Sequence, residues 1–366
     1  MKKIFTITFH HAKNYGAVLQ CYALQHFLKK QGYHSETIDF RTEQMQYRII
    51  PKPNSIKSLV RCIASIKNYK KTKAKYVKYD RFVEESITLT KHYSSINELR
   101  SNPPDADIII TGSDQVFNPT RRQDERQAYY LDFPCRKRAS FSASFGSSVI
   151  AEDRLDEIRN YLDKFDFLSV REQYAVDTVK NLCKGIEVFH TIDPVFLLDA
   201  EDWVTIEEQY IGIPDRYILY FSLRESKSVI KIAKELKNKT GLPVVAIIGK
   251  PYAPKFIDYV LRDAGPQNYL WLVRNCEYFI EDSFHATAFS LIFHKKFMFA
   301  DDHPASYERG RALLDLVGLS DRYDYTSGCD NIIKEVDYER VDNILLARKS
   351  NSEEYLKMII DSGDDI

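Results

Sequence analysis

The chain has 366 residues, of which 44% are hydrophobic, so it is long enough to bury two hydrophobic cores. Lysine plus arginine and aspartate plus glutamate number 52 each, which excludes the strongly basic global field typical of nucleic-acid-binding proteins. No run of about 18 consecutive apolar residues occurs, and the start MKKIFTITFHH is too polar for a signal peptide. These features predict a two-domain cytoplasmic protein that binds no nucleic acid.

The spacing of the cysteines and the absence of several catalytic motifs exclude further classes of function. Six cysteines are spread singly, without the close pairs of zinc or redox motifs, so we expect reduced, mostly buried thiols. The Gly-rich loops of NTPases and dinucleotide dehydrogenases do not occur, and neither does an HExxH or GxSxG motif. These absences argue against an NTPase, a dehydrogenase, a zincin or a serine hydrolase. We expect neither a metal ion nor a cofactor.

The first half of the chain alternates strand and helix patterns. Helices are predicted through Ala17 to Leu28, ended by Gly32, and between about Asp153 and Asp163. Strands are predicted at Ile4 to Thr8, Thr37 to Phe40, Ala106 to Ile110, Ala139 to Ser144 and Phe167 to Val170. Because such alternation is typical of a parallel, doubly wound sheet, residues 1–195 are predicted to form an N-terminal α/β domain.

The alternation begins again after Asp193-Pro194. Strands are predicted at Tyr217 to Ser222, Val244 to Ile248 and Tyr278 to Ile280, and helices at Ile230 to Lys237, Tyr269 to Arg274 and Ala286 to Phe293. Residues 196–366 are therefore predicted to form a C-terminal α/β domain. The expected fold is two doubly wound, Rossmann-like domains facing a cleft, as in GT-B-like enzymes, with ligands at the carboxyl ends of the strands.

A basic segment interrupts the first domain. Residues 52–81 carry ten lysines and arginines, and Asp80 is their only acidic residue. We expect a helical insertion at about 45–90 whose charges face water. The alternative is a surface that makes peripheral contact with a membrane, or binds a lipid-diphosphate-linked acceptor, through anionic head groups.

A polar loop follows the first predicted strand. Asn14, Tyr15 and Gly16 stand where a strand ends and a helix begins, so Asn14 can cap the helix and backbone N–H groups can face an anion. Gly16 would let a ligand approach the backbone closely. Ordinary helix capping is the alternative interpretation.

Polar side chains also follow two later strands. Ser113 and Asp114 come after the apolar run Ile108 to Ile110, and Asp114 could orient a sugar hydroxyl or accept its proton. A turn held by an Asx hydrogen bond is the alternative. Arg171 follows a further apolar strand, and its guanidinium matches phosphate or carboxylate. A simple ion pair with Glu172 is the alternative there.

The second half offers a histidine and several cations. Ser283 and His285 lie between a predicted strand and an apolar helix, which would place the imidazole at the helix start, facing the cleft. A purely structural histidine is the alternative. Lys295, Lys296 and Arg309 could lend positive charge to the site, or could occupy the surface or a domain interface.

The order and spacing of several motifs resemble the polysaccharide pyruvyl transferase family from about residue 10 to residue 320. Each motif alone is unspecific. They are NYGAVLQCYAL (14–24), GSDQVFNP (112–119), SASFG (142–146), SVRE (169–172), DPVFLLDAEDW (193–203) and SFHATAFSLIF (283–293).

The resemblance implies a GT-B-like transferase. In that family, phosphoenolpyruvate donates a pyruvyl group to a hexose or N-acetylhexosamine of a capsule, exopolysaccharide or cell-wall precursor. Two neighbouring hydroxyls become bridged by a pyruvate ketal, and phosphate leaves. Such chemistry needs an acid and cations, and no metal ion.

The resemblance also implies residue roles. His285 aligns with the family's catalytic histidine, as general acid, and Arg171 with an arginine that holds the donor's phosphate or carboxylate. Asp114 is assigned to the acceptor and Asn14 to the donor. The family often has Gly after the histidine, where Ala286 stands here. Which of Lys295, Lys296 or Arg309 supports the donor stays open.

Two alternatives compete with this prediction. The first is a nucleotide-sugar-dependent glycosyltransferase on the same two-domain plan, which a sugar nucleotide rather than phosphoenolpyruvate would stabilise. The second is a non-catalytic scaffold that uses residues 52–81 to hold an assembly at the membrane. Separate polar motifs at strand ends favour an active site over a scaffold.

Overall fold

A computed structural model of the protein describes residues 1–45, 47–50, 62–63, 65–224, 226–250, 252–323 and 328–362, with the side chains of 305 and 306 left out. The chain divides into two compact units. The first consists of Met1–Gln46, Val83–Leu198 and Asp342–Ile366, and the second of Tyr47–Phe82 and Asp199–Val341.

The first unit is built on parallel strands. They are β1 (Lys3–Ile7), β2 (His34–Phe40), β3 (Leu89–Tyr93), β4 (Ile108–Thr111), β5 (Arg138–Ser140), β6 (Leu168–Val170) and β7 (Val188–His190). The main sheet has the order β3-β2-β1-β4-β5, and β6 pairs with β7. Isolated parallel bridges from Ala139 to Phe167 and from Ala143 to Val170 join the two. The sequence of strands therefore reverses between β1 and β4, as in a doubly wound fold.

The second unit repeats this plan. Its strands are β8 (Ile218–Phe221), β9 (Val244–Ile247), β10 (Tyr259–Leu261), β11 (Tyr278–Glu281) and β12 (Lys296–Phe299). They are parallel, in the order β10-β9-β8-β11-β12, so the reversal lies between β8 and β11. Each unit has its own buried apolar cluster around its sheet. The predicted class of two doubly wound, Rossmann-like domains is confirmed, and the predicted cleft stays a prediction.

Helices connect these strands. In chain order they are α1 (Tyr15–Lys30), α2 (Tyr69–Ser86), α3 (Ile96–Ser101), α4 (Gln123–Tyr129), α5 (Leu155–Leu162), α6 (Gln173–Leu182), α7 (Ala200–Val204), α8 (Lys227–Thr240), α9 (Pro266–Asn275), α10 (Phe284–Ile292), α11 (Pro304–Leu316), α12 (Asp330–Ile333) and α13 (Tyr338–Asp361). Short 3₁₀ turns lie at Glu43–Met45, Gln115–Phe117, Glu152–Arg154, Pro194–Leu197 and Ser320–Arg322. Gly32, at φ +85°, follows the end of α1 in the left-handed conformation that glycine adopts at little cost, as predicted.

The division into units differs from the predicted boundaries 1–195 and 196–366 on two segments. Residues 47–82 group with the second unit, where Lys78 Nζ donates to Asn268 Oδ1 at 2.8 Å. Residues 342–366 group with the first, where the Tyr355 hydroxyl donates to Ser140 O at 2.9 Å. The described helical parts of the predicted insertion are α2 and residues 62–63 and 65–67, while residues 46, 51–61 and 64 lie outside the described residues.

Two other predictions can be compared with the structure. Each of the six cysteines is described, none is disulfide-bonded, and five are buried, with Cys135 half-buried. The prediction of reduced, mostly buried thiols is confirmed. Over the described parts of the chain, no helix combines the length and apolar character that crossing a membrane requires.

Candidate functional site

The carboxyl ends of β1 and β4 meet at the reversal point of the first sheet. Thr8 Oγ1 donates to Ser113 O at 2.9 Å and accepts from Gln20 Nε2 at 2.8 Å. A Cβ on Gly112 would lie 3.2 Å from Thr8 Cβ, so the two strand ends approach closely. The hydrogen bonds draw the loops after both strands together at the edge where doubly wound folds bind ligands.

The loop after β1 leads into α1 through the predicted helix cap. Asn14 is extended at the N-cap, and its Oδ1 accepts from Ala17 N at 3.2 Å. Tyr15 and Gly16 are buried within the first turn. The capping interpretation of Asn14 is confirmed. The predicted binding roles of Asn14, Tyr15 and Gly16 stay predictions.

Asp114 occupies a constrained turn after β4. Its φ is +74°, in the left-handed region that is uncommon for residues other than glycine. Its Oδ1 accepts from Gln115 N at 2.8 Å, and its carbonyl accepts from Ser144 N at 3.0 Å. A backbone strain of about 1–3 kcal/mol is held only where surrounding contacts fix it, as these do. The predicted turn is present, and the acceptor role of Asp114 stays a prediction.

Arg171 lies at the end of β6 inside a buried ion-pair network. Its Nε donates to Glu172 Oε1 at 2.8 Å, and one of its terminal nitrogens donates to Asp193 Oδ2 at 3.0 Å. The exposed fractions of the three side chains are 2%, 1% and 0%. Burial alone would lower the pKa of Arg171, but Glu172, Asp193 and Asp114 together raise it.

The network continues to two serines. Asp193 Oδ2 also accepts from Ser113 Oγ at 2.7 Å, and Glu172 Oε1 accepts from Ser144 Oγ at 3.1 Å. Within the described parts of the chain, Glu172 Oε2 has no hydrogen-bond partner. Of the two interpretations of Arg171, the structure shows the ion pair with Glu172. The role of Arg171 in holding the donor stays a prediction. That role requires its guanidinium to release Glu172 or Asp193 and bind the donor's phosphate or carboxylate instead.

Sequence reasoning missed a histidine cluster at the ends of β1 and β2. His10 Nε2 lies 2.9 Å from Asp39 Oδ1, and Arg41 Nε lies 2.6 Å from the same oxygen. Burial would raise the pKa of Asp39, but the hydrogen bonds from His10 and Arg41 hold it well below its usual range. Burial, aided by the charges of His10 and Arg41, lowers the pKa of His11 to about 3. The signal was the His10-His11 pair directly after a predicted strand.

The reversal point of the second sheet surrounds Asp282. Ser222 Oγ donates to Asp282 Oδ2 at 2.5 Å, Leu223 N to Oδ1 at 2.7 Å, and Arg224 N to Oδ2 at 3.1 Å. Burial raises the pKa of Asp282, although these hydrogen bonds oppose the shift. The loop after β8 thus grips the carboxylate that follows β11. Asp282 fixes the two loops at this edge.

His285 is the second residue of α10 and is 7% exposed. Its ring packs edge-on against Phe284, with centroids 5.2 Å apart. The turn before it is held by Glu281, whose Oε2 accepts from Ser283 N at 2.6 Å and whose Oε1 accepts from Thr287 Oγ1 at 2.7 Å. The structure places Ser283 and His285 where the sequence predicted, at a helix start beside a strand end.

Glu281 is the unusual acid of this region. It is fully buried, and burial raises its pKa well above the ordinary value of 4.5, with the neighbouring Asp282 and Asp301 acting in the same direction. Burial therefore disfavours the ionised form of this carboxyl group. Because it anchors both the N-cap residue and the first turn of α10, Glu281 is a positioning group for His285.

Two of the three predicted supporting cations, Lys295 and Lys296, lie elsewhere than expected, while a role for Arg309 stays a prediction. Lys296 begins β12 and pairs in register with Tyr278, so it stands at the amino edge of the sheet, opposite His285. Its Nζ is bound by Glu335, and Lys295 Nζ donates to Arg274 O at 2.8 Å. The assignment of Lys296 to the site is wrong, because parallel strands all begin at the edge away from the carboxyl ends. Arg309 is buried in α11.

A cation that the sequence analysis missed does occupy the right edge. Arg224 follows β8, its backbone N–H donates to Asp282, and its terminal nitrogen lies 3.4 Å from Asp301 Oδ2. Its side chain is 33% exposed, unlike that of Arg171. The signal was a position two residues after a predicted apolar strand, similar to the one that singled out Arg171.

The sequence was compared with models of known protein families and with curated proteins. The sequence model of the family described as polysaccharide pyruvyl transferase matches residues 14–303. No match was found among the curated proteins.

Solved structures resemble the chain in fold. A putative UDP-N-acetylglucosamine 2-epimerase from Listeria monocytogenes has a TM-score of 0.48 at 11% identity, over 96% of this chain and 97% of that one. A UDP-N-acetylglucosamine 2-epimerase from Rickettsia bellii has a TM-score of 0.49 at 13% identity, over 99% and 97%. UGT89C1 of Arabidopsis thaliana has a TM-score of 0.48 at 11% identity, over 99% and 96%. At these identities and TM-scores the likeness says nothing about activity.

Proposed function

Because the chain belongs to the polysaccharide pyruvyl transferase family, we propose that it transfers the pyruvyl group of phosphoenolpyruvate to a sugar, forming a ketal. The family makes it a transferase that acts on a sugar acceptor. The family match carries the proposal, since its span from residue 14 to residue 303 includes Asn14, Asp114, Arg171 and His285.

The proposed reaction balances with one acid and two hydroxyl groups. A proton goes to the methylene carbon of phosphoenolpyruvate, which leaves the neighbouring carbon electron-poor. One sugar hydroxyl adds to that carbon and gives up its proton. A second hydroxyl then displaces phosphate and closes the ketal ring, and its proton leaves with the phosphate as hydrogen phosphate. The chain must therefore supply a proton donor, a proton acceptor and positive charge near the phosphate.

His285 is the proposed proton donor. It stands at the reversal point of the second sheet, on a helix start that Glu281 and Ser283 hold in place. Removing a general acid typically lowers the rate about 10²–10⁴-fold. We expect His285→Ala to lose that much of kcat while leaving phosphoenolpyruvate binding intact. His303→Ala, which changes an exposed histidine of the same unit, is the matched control.

Asp114 is the proposed proton acceptor for the sugar hydroxyl. The strained turn after β4 fixes its position, and its Oδ1 accepts a hydrogen bond from Gln115 N.

The N-terminus of α1 has no acidic residue in its first turn, which suits the approach of an anionic donor near Asn14 and Gly16. Arg224 is added to these as the proposed cation of the second unit. No metal ion is invoked, so we expect turnover to continue in EDTA.

Thermal unfolding with and without millimolar phosphoenolpyruvate tests the donor. A ligand present at 100 times its dissociation constant adds about 2.7 kcal/mol of stability. We expect phosphoenolpyruvate to raise the Tm of the wild type and of His285→Ala alike. Stabilisation by a UDP- or GDP-sugar with no effect of phosphoenolpyruvate would overturn the proposal and favour a nucleotide-sugar glycosyltransferase.

A further inference from the structure

Exposed side chains occur along α2 and in the helical turns that precede it. Residues 62–63 and 65–67 are helical, Asn68 forms a turn, and hydrogen bonds from Asn68 N to Ser65 O at 3.2 Å and from Thr72 N to Asn68 O at 3.0 Å connect these residues to α2, which begins at Tyr69. Seven exposed residues before and after this turn are spaced one or three positions apart, and we term them the outer face. They are Ile63, Ile66, Lys67, Lys70, Lys73, Ala74 and Val77.

The outer face is partly apolar. The exposed fractions of Ile63, Ile66 and Val77 are 62%, 59% and 55%. The opposite side of the helix is already packed, since Tyr79 and Phe82 are completely buried. The packing of the helix therefore does not require these three aliphatic side chains. Single exposed aliphatic residues are common on proteins, but Ile63 and Ile66 lie three positions apart in the same helical turns, and Val77 adds a third further along.

The same face is strongly basic. Lys67, Lys70 and Lys73 are exposed, and no acidic residue occurs between Pro51 and Tyr79. Among the residues that the structure describes, none of these three ammonium groups has an ion-pair partner. Because the chain as a whole is neutral, this concentration of charge is local. It would attract an anionic surface rather than a neutral one.

We propose that the outer face docks onto an anionic lipid bilayer. Ile63, Ile66 and Val77 enter the head-group region while the lysines extend along the surface to the lipid phosphates, as in interfacial amphipathic helices. Within α2, the exposed residues from Lys70 to Val77 span about 11 Å, enough to lie across neighbouring lipids. A protein partner fits this face less well, because protein interfaces are enriched in aromatic residues and arginine and depleted in lysine.

Co-sedimentation with vesicles tests the proposal. The wild type is expected to bind vesicles of phosphatidylglycerol and phosphatidylcholine, and vesicles of phosphatidylcholine alone much more weakly. The triple variant Lys67→Gln, Lys70→Gln, Lys73→Gln is expected to lose about 100-fold of the partition coefficient, given the contribution of each basic residue near such a surface. The measurement needs neither donor nor acceptor, so it is independent of the proposed activity.

A matched control removes the same charge elsewhere. The variant Lys227→Gln, Lys231→Gln, Lys234→Gln changes three exposed lysines on α8 and should bind within twofold of the wild type. Ile63→Ser with Ile66→Ser should weaken binding about tenfold without changing the charge. All these side chains are exposed, so each variant should keep the wild-type Tm.

Three results would overturn the proposal. Equal weakening by the two lysine variants would mean a general cationic attraction rather than a docking face. Equal binding to vesicles with and without phosphatidylglycerol would show that the face does not recognise anionic lipids. Binding to poly-glutamate or nucleic acid, with none to vesicles, would make the occupant a different polyanion.

Discussion

The carboxyl edges of the two sheets share a topology and differ in how they handle charge. At the first, the guanidinium of Arg171 is buried between Glu172 and Asp193. At the second, Glu281 and Asp282 are buried without such a cation, and burial raises the pKa of both. The fold therefore decides where polar side chains gather, and the side chains decide whether that place holds a buried ion pair or acids whose pKa values are raised by burial.

The largest predicted effect breaks the ion pair of the first edge. Arg171→Ala leaves two buried carboxylates uncompensated and should lower the free energy of unfolding by about 3–5 kcal/mol, measured by urea denaturation. The exposed pair between Arg216 and Glu277 is the control, and Arg216→Ala should cost at most about 1 kcal/mol.

A further variant separates structure from donor binding at Arg171. Adding Glu172→Gln to Arg171→Ala removes one of the stranded charges and should recover part of the lost stability. If Arg171→Ala instead unfolds like the wild type and loses only its stabilisation by phosphoenolpyruvate, the guanidinium is a donor clamp. The first sheet edge would then not differ from the second by a structural ion pair.

The second prediction concerns the second sheet edge and the way in which Glu281 makes the stability of the protein depend on pH. The folded pKa of Glu281 exceeds the unfolded one, so the folded protein keeps a proton that the unfolded chain releases. Stability due to this group is unaffected below pH about 4.5 and falls above it, by up to about 1.4 kcal/mol per pH unit, until the folded pKa is passed. Glu281→Gln removes this loss, so the difference in its favour should grow as the pH rises above about 4.5.

A glutamate just before the same strand provides the opposite sign. The ion pair with Arg216 lowers the pKa of Glu277, so the stability that it contributes is present above its unfolded pKa and is lost on acidification. Glu277→Gln should therefore be slightly less stable than the wild type at neutral pH and equal to it in acid, a small effect because Arg216 is mostly exposed. A stability difference between Glu281→Gln and the wild type that does not change with pH would show that the pKa of the Glu281 carboxyl group is not raised in the folded protein.

The sequence predicted the central strands because they are continuous apolar runs, as in Ile108–Thr111 and Val244–Ile247. It missed strands with mixed patterns, such as Leu89–Tyr93 and Tyr259–Leu261, which lie at sheet edges. It also missed the polar helix Tyr338–Asp361. Such elements are stabilised by neighbours distant in sequence, which propensity does not register.

The same limits apply to the candidate site. Residues next to recognised strand ends, such as Ser113 and His285, were placed correctly. Lys296 was misplaced because Lys296–Phe299 was not recognised as a strand, so its direction in the sheet was unknown. Asp193 was quoted in a motif, but its bond to Arg171 joins residues 22 positions apart, and no local pattern predicts that pairing.

The third prediction concerns the turn that carries Ser144. Gly146 has φ +83°, and a Cβ there would lie 2.5 Å from Gln115 Oε1, which accepts from Asn118. Gly185→Ala is the matched control, since Gly185 has φ +94° and nothing within 4 Å of the added carbon. Both variants incur about 1 kcal/mol for the left-handed conformation. Gly146→Ala should cost about 1–2 kcal/mol more, measured by denaturation, because the crowded edge must shift.

The smallest predicted effect asks whether the start of α1 only caps or also binds. Asn14→Ala removes the acceptor of Ala17 N–H and should cost about 1 kcal/mol of stability, while Asn14→Ser should restore most of it, because serine caps equally well. If Asn14 only caps, both variants keep the Tm shift produced by phosphoenolpyruvate. If its amide also holds the donor, Asn14→Ser regains the stability and still loses the shift. The first sheet edge would then be a binding edge despite its locked ion pair.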